Sequence, residues 1–493
     1  MRDRALGSRN TRVSTHASAA RAQVWRAALT SAALALAACL VTGLVTGPAF
    51  AADAPAAAPP AANAPGPHYA PLSNGLAQTP PMGWITWLQF AEDINEPLIL
   101  QTIDAMVANG MRDAGYVYVN LDDGWQRYKG ERSKHPLEFD PVKFPHGIKY
   151  LADYAHSKGM KLGIYSGPGE STCAGYTGSA GHEVQDAAMF ASWGIDHLKY
   201  DSCCSHKDAP QPVVEGVFRT MSKALIATKR PIVLNACHCG WVNTWEWAAG
   251  VGANHWRIGQ DISDDFDYPG NREKYYFDVL DLIDRGVGLE KYAGPGHWND
   301  YDMLIVGLDG KSPWLVGAGA SNVEYRTHFS MWSMLDSPLL VGADVRHLDA
   351  DSLETLTNKE IIALNQDALG KPATRVRDDG LVQVFAKELS DGSWAVALLN
   401  RGSATADVTI APRKDLQLEW DRYGVRDLWK HKDMGPYDIP FTTEVISHEA
   451  RILRLWKAPE PAAGKSASAA VPGAAAGQAP GAAPLVAERT SDH

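Results

Sequence analysis

The chain has 493 residues, 45 % of them hydrophobic, enough for a large core in two or three domains. Its formal net charge is −11 and it has no long basic run, which excludes nucleic acid and anionic membrane as main partners. Sixteen Trp against 11 Phe is an unusual ratio; indole faces stack on the C–H faces of sugars, so the excess hints at carbohydrate, with core filling as the other use of the ring.

Arg2, Arg4, Arg9, Arg12, Arg21 and Arg26 form a basic region. An uncharged apolar run follows from Ala27 to about Thr46, and Ala49-Phe50-Ala51 offers small residues for cleavage. Residues 1–51 therefore read as a signal peptide, and the protein as exported, periplasmic or extracellular, with no membrane contact after cleavage. An uncleaved anchor and a lipoprotein box, Leu36-Ala37-Ala38-Cys39, rank behind; the residues after Cys39 stay apolar where a lipoprotein turns polar. Residues 52–76 are rich in Ala and Pro and read as an unstructured linker, and residues 458–493 repeat that composition as a tail.

From 77 to 370, strand-like apolar runs alternate with helical patterns. The runs are Met82–Trp87, Tyr116–Asp123, Lys161–Ser166, His197–Ser202, Ile232–Cys237, His255–Asp261, His297–Asp302 and Ser337–Asp344. Leu98, Ile99, Ile103 and Met106 have helical spacing within 96–110. Eight such units in succession predict an α/β fold, a (β/α)8 barrel. From 371 to 457 the pattern changes to alternation: 381–385 and Trp394–Leu399 flank a Ser390-Asp391-Gly392 turn, and Ala406–Ile410 and Ile452–Trp456 follow, predicting a small antiparallel β domain.

Catalytic groups of such a barrel sit where strands end. Asp122 and Asp123, Asp201, Asp261, and Asp300 with Asp302 stand at the ends of four predicted strands. Converging carboxylates suit a metal site or glycoside hydrolysis. A barrel metallohydrolase usually opens with His-x-His on its first strand, and Met82–Trp87 has no His. One His between two Cys, Cys237-His238-Cys239, is not a zinc spacing either. Glycoside hydrolysis needs two carboxylates, and Asp201 and Asp261 meet that demand from strands four and six. Lys199, two residues before Asp201, points into the barrel with it and favours its ionised form.

The stretches TPPMGWITW (79–87), YVNLDDGW (118–125), KFPHGIKYLADYAHSKGMKLGIYS (143–166), TCAGYTGS (172–179), WGIDHLKYDSC (193–203), HWRIGQDISDD (255–265), GPGHWNDYDML (294–304) and SPLLVGADVR (337–346) resemble glycoside hydrolase family 27, the melibiase or α-galactosidase group. They span the barrel in that family's order. The resemblance implies a retaining exo-glycosidase acting on terminal α-linked D-galactose, with no cofactor or metal. It implies Asp201 as nucleophile and Asp261 as acid/base. It implies Asp122 and Asp123 as acceptors for the 4- and 6-hydroxyls, Lys199 as a ligand of the 3- and 4-hydroxyls, and Arg257 of the 2- or 3-hydroxyl. Trp87 would stack on the sugar, Tyr165, Cys173 and Asp302 would line the pocket, and Cys173 would bond to Cys203.

The chain departs from the family pattern after strand five, where Cys237-His238-Cys239-Gly240 replaces Cys, a Glu, Asn or Gln, and Trp-Gly. That loop reads the sugar's 2-position, so His238 is the expected reader there. It is too large for the small pair of an α-N-acetylgalactosaminidase, and the intact Asp122-Asp123 pair argues against a β-L-arabinopyranosidase. A non-catalytic galactose-binding barrel would have lost Asp201 or Asp261. Signal removal leaves five cysteines, with Cys204 a candidate partner for Cys237 or Cys239. A homodimer stays open.

Overall fold

Runs such as Tyr116–Val119 and Ile232–Leu234 are apolar on both faces, so their strands need cover on both sides, which parallel strands with crossover helices provide. The computed structural model describes residues 70–202, 205–267, 276–313 and 317–460. The expected signal peptide and most of the linker and tail lie outside these residues.

Eight parallel strands form one sheet: β1 (Met82–Ile85), β2 (Tyr118–Asn120), β3 (Lys161–Ser166), β4 (His197–Asp201), β5 (Val233–Cys237), β6 (His255–Arg257), β7 (Trp298–Asp300) and β8 (Leu339–Val341). Consecutive strands pair through to β7, and β8 returns to β1 with Met82 opposite Leu339. The β7–β8 gap is closed by Leu304, whose N–H donates to Leu340 O at 2.8 Å and whose carbonyl accepts from Gly342 N at 2.9 Å. Helices α1 (Glu96–Ala108), α2 (Ile148–Ser157), α3 (Glu183–Trp193), α4 (Gln211–Ala227), α5 (Val279–Gly286) and α6 (Asn322–Met334) lie between the strands in sequence. The Asn95 side chain caps α1 by accepting from Leu98 N at 3.0 Å, and the helix ends before Gly110, whose φ is +86°.

Strand ends differ from the sequence expectation in a way that matters for the site. Trp87 opens a short helix, Trp87–Phe90, instead of ending β1. Asp122 and Asp123 stand in the loop past β2, where Asp122 N donates to the Thr86 hydroxyl at 2.9 Å instead of to a ladder carbonyl. Asp261 lies four residues past β6 in a separate two-residue strand, Asp261–Ile262, paired with Tyr276–Phe277. Gly124 follows the Asp pair at φ +101°, and a Cβ there would come within 3.0 Å of Glu92 Cα. Only glycine lets these two loops approach so closely.

The C-terminal part is a six-stranded antiparallel sheet plus a two-stranded one. The predicted hairpin is present as β10 (Val382–Glu388) and β11 (Trp394–Asn400), preceded by β9 (Thr374–Asp378). After β12 (Ala406–Ile410), the strands β13 (Tyr423–Asp427), β14 (Lys432–Tyr437), β15 (Phe441–Val445) and β16 (Ala450–Lys457) complete it; β13 to β15 escaped the sequence reading. Their inner faces share a core that includes Val396, Leu398, Ile410, Phe441 and Leu453. The sheet is fastened to α6 of the barrel, where Thr327 Oγ1 donates to His448 O and accepts from Ala450 N, both at 2.7 Å. A buried ion pair, Lys387–Asp336, reinforces that seam.

Two boundaries move. Residues 70–76, assigned to the linker, are tied to the barrel: Leu72 N donates to Gly250 O at 3.0 Å, and the Asn74 and Asn254 amides exchange bonds of 2.8 and 2.9 Å. At the other end Ala458 is buried and donates to Arg422 O at 3.0 Å, so the tail begins later than expected.

Candidate active site

Parallel strands deliver their C-terminal ends to one mouth, and a cavity of about 300 Å3 opens there. Of the residues expected at the site, Trp87, Asp122, Asp123, Tyr165, Cys173, Lys199, Asp201, Asp261 and Asp302 line it.

One wall is built on β2, β3 and β4. Lys199 Nζ donates to Asp122 Oδ2 at 2.8 Å and stands 4.0 Å from Asp201 Oδ2, beyond hydrogen-bond reach. Burial disfavours the lysine's charge, yet Asp122 first, then Cys237 and Asp201, hold it well above its ordinary range, so it remains a cation. Its ammonium lies 5.3 Å from the centre of the Tyr165 ring. Tyr165 Oη in turn donates to Cys173 Sγ at 3.0 Å. Asp123 accepts from Ala174 N at 2.8 Å, Gly124 N at 3.0 Å and Thr172 Oγ1 at 3.0 Å. Burial nevertheless pushes its carboxyl up to about 6, with Asp122 adding to the effect.

The facing wall comes from the segments after β6 and β7. Arg257 Nη2 lies 2.9 Å from Asp302 Oδ2, 3.1 Å from Asp261 Oδ1 and 3.2 Å from Gly259 O. Arg257 and Asp302 are buried, whereas the Asp261 side chain is 34 % exposed.

Two of the expected residues are not on the cavity lining. Arg257, expected on a sugar hydroxyl, donates to Asp261 and lines a small adjoining void with Asn235 and Asp300. His238, expected to read the 2-position, is absent from the lining. Successive side chains alternate about a strand, so at the end of β5 Cys237 faces the Asp201 and Arg257 charges while His238 turns outward. Its ring is buried among Phe218, Trp241 and Trp247, with Nδ1 2.5 Å from Ser202 Oγ. Burial holds it neutral, down to about 4. Cys237 and Cys239 are both free and buried, so neither pairs with Cys204; Cys203 and Cys204 lie outside the described residues.

The sequence reading missed Glu92, Tyr276 and Met303, which also line the cavity. Glu92 comes from the loop after Trp87–Phe90, and its Oε2 accepts from Lys129 Nζ at 2.7 Å and Tyr176 Oη at 2.8 Å. None of the three ends a strand, and no local pattern flags them. Among the described residues no group of three or more His, Cys, Asp or Glu is arranged to hold a metal ion.

A parallel barrel with carboxylates on two facing walls of one cavity, and a tryptophan at its rim, defines a barrel glycosidase. Residues 79–367 match the family model described as Alpha galactosidase A, and residues 379–455 match that of the Alpha galactosidase C-terminal beta sandwich domain. The chain is 41 % identical over 388 residues to the alpha-galactosidase of Cyamopsis tetragonoloba, covering 78 % of this chain and 87 % of that one. It is 42 % identical over 392 residues to alpha-galactosidase A of Cellvibrio japonicus, covering 77 % and 92 %. The crystal structure of alpha-galactosidase I from Mortierella vinacea superposes with a TM-score of 0.72 at 37 % identity, covering 78 % of this chain and 98 % of that one. The chain belongs to the α-galactosidase (melibiase) family of glycoside hydrolases.

Proposed function

We propose that the enzyme removes terminal α-linked D-galactose from oligosaccharides or glycoconjugates by double displacement. Asp201 attacks the anomeric carbon while Asp261 gives its proton to the departing glycosidic oxygen. The β-linked glycosyl-enzyme is then opened by a water whose proton Asp261 takes, so two inversions give net retention. One observation carries the reading: Asp201 and Asp261 open on the same cavity from its two walls. Lys199, bonded to Asp122 at 2.8 Å and 4.0 Å from Asp201, can stabilise a carboxylate nucleophile without bonding to it.

The Asp122–Asp123 pair is the proposed acceptor for the galactose 4- and 6-hydroxyls, with Trp87 stacking at the rim. Its intactness supports galactose over L-arabinopyranose, which lacks the hydroxymethyl group. A panel of nitrophenyl glycosides tests the substrate: the α-galactoside should be cleaved faster than the α-N-acetylgalactosaminide, the β-L-arabinopyranoside and the α-glucoside. Faster cleavage of the N-acetyl sugar overturns the assignment.

A Cys173–Cys203 disulfide belongs to the same proposal. Cys173 is disulfide-bonded, while Cys237 and Cys239 are free, which supports the pairing. Export through residues 1–51 is proposed on the basic and apolar runs already described, and fractionation of cells expressing the full chain tests it.

A further inference from the structure

Asp302 is held more tightly than a residue whose task is to touch sugar requires. Its backbone is left-handed, at φ +78°, a conformation a non-glycine residue keeps only when its surroundings enforce it. Its N–H donates to Asp300 Oδ1 at 2.9 Å, and its carbonyl accepts from Trp332 Nε1 at 2.8 Å. Oδ2 accepts from the backbone N–H of Ile262, the residue after Asp261, at 2.8 Å, and pairs electrostatically with Arg257 Nη2 at 2.9 Å. That same Nη2 lies 3.1 Å from Asp261 Oδ1. One buried carboxylate therefore grips both the main chain beside Asp261 and the cation that holds Asp261's carboxylate.

We propose that Asp302 is the positioning residue of the acid/base: it aims Asp261 through Arg257 and the Ile262 amide, and its charge sets how much of Arg257 is left for Asp261. This rests on Asp261 being the acid/base. When Asp261 passes its proton to the glycosidic oxygen, a negative charge appears 3.1 Å from a guanidinium already in place. When Asp261 takes a proton from water, that charge disappears and Arg257 is left to Asp302. The charged groups facing Asp302 are Arg257 from β6, Asp261 beyond it, Asp300 from β7, and Lys199 of β4 across the small void beneath the cavity. Burial first, then Asp261 and Asp300, raise the Asp302 carboxyl to about 6, with Arg257 opposing.

The test is Asp302→Asn, which keeps the shape and an acceptor for the Ile262 amide and removes the charge that pairs with Arg257. Without its competitor, Asp261 draws the whole of Arg257 and holds its proton less well. The alkaline limb of kcat/KM should move down by about one pH unit. The rate on an unactivated α-galactoside should fall by about 100-fold, while a dinitrophenyl α-galactoside, whose leaving group needs little protonation, loses less than about tenfold. A uniform loss on both substrates with an unmoved alkaline limb overturns the proposal. If Asp302→Asn does not fold, Arg257→Lys keeps a cation but not the fork and should give the same leaving-group-selective loss; a uniform loss there also overturns it. Asp261→Asn, run beside them, separates this inference from its parent: leaving-group selectivity in Asp261→Asn with none in Asp302→Asn rejects only the role of Asp302.

Discussion

The two walls of the cavity solve the same electrostatic problem differently. On each, one buried cation serves two carboxylates. Lys199 takes sides, 2.8 Å from Asp122 and 4.0 Å from Asp201, whereas Arg257 is shared almost evenly at 2.9 Å from Asp302 and 3.1 Å from Asp261. The asymmetry suits the proposed roles. A nucleophile must stay ionised yet give up its electron pair, so its cation belongs nearby without a hydrogen bond. An acid/base cycles between charged and neutral, so its cation must be shareable, and one guanidinium nitrogen, Nη2, stands within reach of both carboxylates.

The comparison breaks most sharply at Lys199. Lys199→Met removes the cation that bonds Asp122 and faces Asp201, and should lower kcat/KM by about 10²–10³-fold. A loss below about tenfold in steady-state kinetics on an unactivated α-galactoside would show that the charge is dispensable on that wall. Another buried lysine–aspartate pair, Lys387–Asp336, does not line the active-site cavity and supplies the control. Lys387→Met should cost about 3–5 kcal/mol in denaturant unfolding, because it strands a buried carboxylate. At a temperature where the variant is folded, its kcat should match that of the parent.

The pH dependence of binding sharpens the same comparison. The Asp123 carboxyl is raised, so it takes up a proton as pH falls through about 6 and loses acceptor capacity for hydroxyls. KM for a nitrophenyl α-galactoside should therefore rise below about pH 6, and a KM flat down to about pH 4 would contradict the role given to Asp123. The smallest effect is expected far from both walls. Starting the chain at residue 77 instead of 70 removes the Leu72 and Asn74 bonds, costing about 1–3 kcal/mol in a thermal melt with kcat unchanged.

The sequence exposed the barrel because parallel strands buried on both faces leave apolar runs at regular intervals, and it exposed the acids because they cluster near strand ends. It could not expose which way a side chain turns once the strand has ended. His238 is one residue past β5, and its ring turns into the helix layer beside Phe218. Arg257 sits on β6 as expected, but beside Asp261 it is also paired with Asp302, forty-five positions on, whose left-handed backbone no local pattern announces. Glu92 was hidden for the same reason: its place on the lining is set by its loop's close approach to Gly124. Strands β13 and β14 are hidden because Gly424, Gly435 and Pro436 interrupt their alternation, whereas β15 does alternate, with Phe441, Thr443 and Val445 inward, but over only five residues.

The central claim is the division of labour between Asp201 and Asp261, and azide rescue tests it most directly. Asp201→Gly leaves space beside the anomeric carbon, so azide should attack an activated α-galactoside there and give a β-galactosyl azide. Asp261→Gly should still form the glycosyl-enzyme from a substrate with a good leaving group, and azide, which needs no general base, should open it to the α-galactosyl azide. Proton NMR of the two products should show inverted configuration from the first variant and retained configuration from the second. The opposite pair of configurations would exchange the two roles, and undiminished activity in both variants would contradict the whole assignment.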